Sequence, residues 1–305
     1  MITLNIAETL LYNIGINTFS FIIALIIFYT YCISFTYNYD VWQLRKIEAI
    51  ILMVLLSDIG MWLLNGKSGN FIRIISYANT IFYFLMQIAV VIEWIRYAHY
   101  RIFGRNISRK KELFFVFVPF AILSIIVITS PINGWCFYLD DSNYYHRGVL
   151  SAPMSVVILA YLLWASVMAL TMYNNEANID RRKELLTLAF FAIPPFLGGV
   201  VQTVYYGISM IWPCTVISSI LVLLNKENEA ITRDSLTGLN NRRNIERNLL
   251  TYVGEQNRTI SLIMLDIDDF NAMSTEKTGN IMNLFKEADA NMYQDKALYH
   301  QGAET

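Results

Sequence analysis

Charged side chains are scarce in this chain: Asp, Glu, Lys and Arg make up 15% of its 305 residues, where soluble proteins carry about 25%. Apolar residues make up 55%. Together these values exclude an ordinary soluble globule and point to an integral membrane protein. Cysteine is also nearly missing. Cys32, Cys136 and Cys214 lie far apart and two of them fall in apolar stretches, which excludes a disulfide framework and a metal-ligand spacing. No basic residue precedes Arg45 and no small-residue cleavage site follows a short apolar core, so the first apolar segment is expected to stay in the protein rather than leave as a signal peptide. The net charge is only −1, and residues 225 to 305 hold 9 basic against 13 acidic side chains. An acidic soluble tail argues against nucleic acid as a partner.

What the chain has is long apolar runs. A helix needs about 20 mostly apolar residues to cross a bilayer, and seven stretches qualify: Ile14 to Phe35, Ile47 to Leu64, Ile74 to Ile95, Leu113 to Ser130, Met154 to Tyr173, Leu185 to Tyr206 and Ile208 to Leu224. Lysine and arginine gather in alternate loops. Arg45 and Lys46 lie in the first, Arg96, Arg101, Arg105, Arg109, Lys110 and Lys111 in the third, and Arg181, Arg182 and Lys183 in the fifth. The second and fourth hold only Lys67, Arg73 and Arg147. Cytoplasmic loops carry the excess of positive charge, so the N-terminus is expected outside and the tail in the cytoplasm.

The longest outer loop, Pro131 to Pro153, contains Trp135, Phe137, Tyr138, Tyr144 and Tyr145. An interfacial aromatic belt is the first reading and a ligand-binding cap the second. Within the apolar runs, Asp58 and Glu93 are ionisable groups at membrane depth, where charge is costly and needs a partner or a wet cavity. Glu93 can snorkel to the interface beside Arg96. Asp58 has no opposite charge in its own segment, so it is a candidate for a sensing or ion-linked role, with helix-to-helix hydrogen bonding as the plainer reading. Pro119, Pro194-Pro195 and Pro213 each remove a backbone donor and are expected to kink a helix. Leu221, Leu224, Asn228 and Ile231 share one helix face, a pattern too short for a coiled coil.

At residues 232 to 243 the chain changes character. Asp234 and Thr237 favour caps and turns, Gly238 permits a positive φ, and Asn240-Asn241 precede a helical run from Arg242, so a structured turn between two helices is expected. Further on, Ile260 to Leu265 is an apolar run of strand length that ends in Asp266-Ile267-Asp268-Asp269-Phe270. Carboxylates at the end of a buried strand suit a hard cation such as magnesium.

Asp234-x-Leu-Thr-Gly-Leu-x-Asn-Arg-Arg243 resembles the opening of the GGDEF domain of bacterial diguanylate cyclases, which join two GTP molecules into cyclic di-GMP. The strand-end motif is similar to that family's Asp-x-Asp-x-Phe, and Ala288-Asp-Ala-Asn-Met-Tyr-Gln-Asp-Lys296 resembles its closing helix. The resemblance implies that Asp266 and the backbone carbonyl of Ile267 are ligands of Mg2+ and that Lys296 meets phosphate. Ser274 stands where the family places a guanine-reading Asn, Thr275 where it has Asp, Asn271 where it has Lys, and His300 where an Arg is expected. The Gly-Gly-Asp/Glu-Glu-Phe hairpin, which supplies the second metal-binding carboxylate, would lie between Phe270 and Ala288. The chain's Gly-Gly pair is instead Gly198-Gly199, in an apolar run.

These observations predict an α-helical membrane protein of seven transmembrane helices followed by a truncated α/β GGDEF-like domain, with a sensor domain over 1–224, a helical linker over 225–233 and the GGDEF-like domain over 234–305. The expected setting is the bacterial inner membrane, and the expected partners are the lipid bilayer, GTP by resemblance, and a second copy or a cyclase partner. With the hairpin missing, the domain is expected to be inactive. A partner-complemented cyclase and a transporter with an incidental tail are the alternatives. The apolar run Ile260 to Leu265 is expected to be a lone strand that pairs only with another chain.

Overall fold

The computed structural model describes residues 6–34, 38–176, 178–205, 207–232, 241–242, 245–246, 260–265 and 270–275. The chain divides into two units, Met1–Glu227 and Asn228–Thr305.

Apolar runs of this length become helices because a bilayer offers no partner to a backbone N–H or C=O, and a helix satisfies both within itself. In the first unit they form α1 (Ile6–Ile33), α2 (Tyr39–Leu64) and α3 (Asn70–Phe103). Next come α4 (Arg109–Glu112), a π-helical turn (Leu113–Phe117) and α5 (Val118–Asn133), which make one continuous rod. They are followed by α6 (Ser151–Asn175), α7 (Ile179–Phe190), α8 (Ile193–Val204) and α9 (Ile211–Thr232). Among the described residues, six helices are long and apolar enough to cross a membrane: Thr9–Ile33, Tyr39–Leu64, Asn70–Phe103, Arg109–Asn133, Ser151–Asn175 and Ile179–Val204. Their outer faces expose Leu11, Phe71, Phe114 and Ile125 among many others. An apolar surface of that extent is stable against lipid and not against water. The inner faces pack Ile51, Val54, Leu55, Trp94, Ile95 and Phe120 into one core.

The prolines act where the sequence places them, and the groups they orphan are recovered by neighbours. Pro119 has no N–H to give the Phe115 carbonyl, and the π-helical turn lies directly before it; the Tyr161 hydroxyl of α6 donates to that carbonyl at 2.6 Å. Pro194-Pro195 interrupt the sixth apolar run into α7 and α8. Pro195 leaves the Phe191 carbonyl without its donor, and Ser218 Oγ of α9 supplies one at 2.7 Å. Gly198 has a packing reason. A Cβ there would lie 2.7 Å from the Met210 carbonyl oxygen.

The long loop folds as an antiparallel hairpin, β1 (Phe137–Leu139) with β2 (Tyr145–Arg147). Its aromatics divide by face. Phe137 is buried and stacks on Phe84, while Trp135, Tyr138 and Tyr144 are exposed, as an interfacial belt requires. Asn143, at φ 64°, donates from Nδ2 to the Leu64 carbonyl at 3.1 Å and to Ser76 Oγ at 3.0 Å. That one side chain pins the hairpin to α2 and α3.

In the second unit, the turn expected after Thr232 lies outside the described residues, and Asn241 bonds back to the end of α9. Its backbone N–H donates to the Thr232 carbonyl at 3.0 Å and its Nδ2 to the Ile231 carbonyl at 2.7 Å, which satisfies carbonyls that the end of α9 leaves free. Ile245 then donates to the Asn241 carbonyl, and Arg242 pairs with Glu246 one turn on. The rest of residues 233 to 259 lies outside the described residues. The expectation of a lone strand is corrected: β3 (Ile260–Leu265) pairs antiparallel with β4 (Phe270–Thr275) in register from Ile260 opposite Thr275 to Leu265 opposite Phe270. The two strands satisfy a ladder within one chain, so pairing with a second chain is not needed to meet those backbone groups.

Candidate functional site

The first candidate site is built on Asp58. Positions 13 and 17 of α1 are one turn apart on the same face, and both are asparagines that are fully buried. Asn17 Nδ2 donates to Asp58 Oδ2 at 2.8 Å, and the Ser209 hydroxyl donates to the same oxygen. Asn13 braces the segment before α9: its Nδ2 donates to the Gly207 carbonyl at 2.7 Å and its Oδ1 accepts from the Ser209 N–H at 2.7 Å. Asn17 Oδ1 is buried without a partner. Nearby, Trp212 Nε1 donates to the Tyr83 hydroxyl at 3.0 Å. Neutral donors from α1 and the α8–α9 connection thus gather on one carboxylate of α2.

Asp58 is one of three buried carboxyl groups along α2, with Asp40 and Glu48. Each meets α9 or the residues just before it. Asp40 takes the ammonium of Lys226, Glu48 has Ser219 within hydrogen-bond reach, and Asp58 has Ser209. Asp40 also accepts from Arg101 at 2.8 Å, Arg101 reaches on to Glu184, and Arg181 joins Glu184 at 2.6 Å while donating to the Ile102 carbonyl at 3.1 Å. Sequence reasoning missed this network. The available signal was opposite charges near the start of α2 and α7 and the end of α3 and α9, where an unpaired charge is costly. Glu93 does meet Arg96, at 2.8 Å, together with Lys46 at 2.9 Å.

Two groups lie outside the membrane helices. Asp140 Oδ2 is 2.9 Å from His146 Nε2. That hydrogen bond, then those from the Tyr144 and Ser142 N–H groups, hold the Asp140 carboxyl below the usual carboxylate range. Burial pushes the Cys136 thiol up to about 12, so it is inert as a nucleophile at neutral pH.

The second candidate site is in the tail. Among its expected residues, Ser274 falls in β4 opposite Ser261, while Asp266, Ile267 and Lys296 lie outside the described residues. Leu265, the residue before Asp266, pairs directly with Phe270. Measured against known families, residues 231–276 match the model described as diguanylate cyclase, GGDEF domain. This stretch is similar to the GGDEF family. A search of curated proteins gave no match. The GGDEF match takes in the turn beyond α9, β3, β4 and the Asp266 motif. Magnesium is the cation the family implies, and the three carboxylates that follow β3 in the sequence, Asp266, Asp268 and Asp269, are oxygen donors of the right kind.

Proposed function

We propose that this chain is a membrane receptor of cyclic di-GMP signalling whose GGDEF-family tail does not turn over GTP. The reading combines six membrane-capable helices with a GGDEF match over residues 231–276, and the inactivity rests on one observation: the chain's Gly-Gly pair is Gly198-Gly199 in α8 rather than in the tail. In it, α9 is the seventh span, residues 225–233 are the linker, and the domain over 234–305 is an α/β GGDEF remnant shortened between Phe270 and Ala288. The loop charges support a bacterial inner-membrane protein with its N-terminus outside and its tail in the cytoplasm, where GTP is available. A second copy or an intact cyclase is the partner that such a tail would address. Phosphoryl-transfer catalysis is mainly placement of metal and charge around phosphates. A domain without the second metal carboxylate, and with Ser274 and Thr275 at base-reading positions, retains too few of those groups.

The broken helix α7–α8 gives the transporter reading its one specific support, because interrupted helices expose carbonyls that hold ions. The carbonyl freed here, that of Phe191, is taken by Ser218, which favours the receptor. The deciding experiment incubates the purified full-length protein with GTP and Mg2+. No cyclic di-GMP is expected. Product that disappears in Asp266→Ala would overturn the inactive reading.

A further inference from the structure

Asp58 is buried among neutral groups: the side chains bonded to it among the described residues are Asn17 and Ser209, with no Lys or Arg. A bare carboxylate at that depth is costly, so positive charge has to come from elsewhere. Both donors land on Oδ2, so Oδ1 receives neither. Asn17, fully buried, keeps a second acceptor, Oδ1, without a partner. A proton on Asp58 would neutralise the charge yet do nothing for the amide oxygen. A small cation answers both at once. We propose that Asp58, Asn17 and Ser209 bind a monovalent, sodium-sized cation between α1, α2 and the start of α9.

The chemistry sets the class. All the available ligands are oxygens, which select hard cations over soft ones. Only one of them carries charge, because Glu48 lies ten residues back on α2, about 15 Å along the helix. A divalent ion would therefore remain half-compensated, and a monovalent one is matched. On the hairpin side, Met61, one turn beyond Asp58 on α2, lines a small cavity together with Asn65, Ser76, Thr80 and Asn143, where Asn143 Oδ1 is likewise buried without a partner. Because the ligands come from three chain segments, occupancy fixes the residues that lead into α9. The use of this site as a stimulus rests on the receptor reading above, whereas its occupancy does not.

The test is thermal unfolding of the full-length protein in detergent at one scan rate, in NaCl against choline chloride at equal concentration, so that screening is held constant. The midpoint in saturating NaCl is expected to rise by about 3–6 °C. In Asp58→Asn the difference should vanish. Asn17→Leu, which leaves the carboxylate in place, should raise the half-saturating sodium concentration at least about tenfold, as loss of one oxygen ligand would. Equal midpoints in the two salts for the wild type would overturn the proposal, as would a difference that survives in both variants. So would a midpoint that follows pH alone and ignores sodium, since the group taken up would then be a proton. Cyclic di-GMP production does not enter this readout, so the cation site and the inactive-receptor reading fail separately.

Discussion

Lys226 is a buried ammonium on a helix that begins in an apolar run, and Asp40 supplies a carboxylate that compensates it, while Arg101 links that carboxylate to Glu184. Arg101 is the member that touches both carboxylates. Replacing it by Met leaves Asp40 with one cation and Glu184 with Arg181 only, and breaking a buried pair in this way costs about 3 kcal/mol. Arg101→Met is therefore expected to lower the unfolding midpoint clearly, and Arg101→Met combined with Glu184→Gln should cost less than the sum of the two single changes. Strict additivity would show that the two side chains are not coupled. Asp140 gives a pH prediction. Its carboxyl is held below the usual range, first by His146 and then by the Tyr144 and Ser142 N–H groups. A lowered folded-state pKa contributes stability above the ordinary carboxylate range and loses it as pH falls through the lowered value. Amide exchange at Ser142 and Tyr144 is expected to speed up on acidification, and Asp140→Ala should show the fast exchange already at neutral pH. An acid-insensitive hairpin would remove Asp140 from its support.

At the scale of elements, proline and its substitute donor form a unit. Ser218→Ala leaves the Phe191 carbonyl buried with no donor, at a cost of about 1–3 kcal/mol, and Tyr161→Phe should do the same for Phe115 where that carbonyl is shielded. Pro195→Ala restores a backbone N–H in reach of Phe191, so Pro195→Ala is expected to suppress most of the Ser218→Ala loss. Unfolding midpoints of the single and double variants decide the matter, and an unsuppressed loss would mean that Ser218 acts by packing alone. In the tail, the register sets Ile263 against Ala272. Directly opposed residues lie about 4.5–5.5 Å apart, within reach of a disulfide. Ile263→Cys with Ala272→Cys should therefore cross-link within one chain and run as a monomer on a non-reducing gel. A disulfide-linked dimer would mean that β3 takes its partner from another copy.

At the scale of the molecule, loop charge and helix order make one statement about orientation. A reporter fused after Thr305 is expected to be active in its cytoplasmic form, and activity only outside the cytoplasm would reverse the topology drawn from Arg45, Arg101 and Arg181. Hydropathy located the membrane helices because lipid exposure is a property of each segment by itself, read residue by residue along the run. The same holds for the GGDEF motif, which is contiguous in sequence. Helix ends were less legible. α2 begins at Tyr39 rather than Ile47, because Asp40, Arg45 and Lys46 look like loop residues until α3 and α9 place Arg101 and Lys226 beside Asp40 and Glu93 beside Lys46. The sequence also left open what β3 pairs with, since a short polar turn can close a hairpin or lead away from it with equal local chemistry. Apolar runs, prolines and the GGDEF signature were thus determined by the chain alone, through forces that act within one segment. The partners of Asp58, Asp40 and Phe191 were decided only by the tertiary structure, because a buried polar group is satisfied by whichever distant residue the packing brings to it.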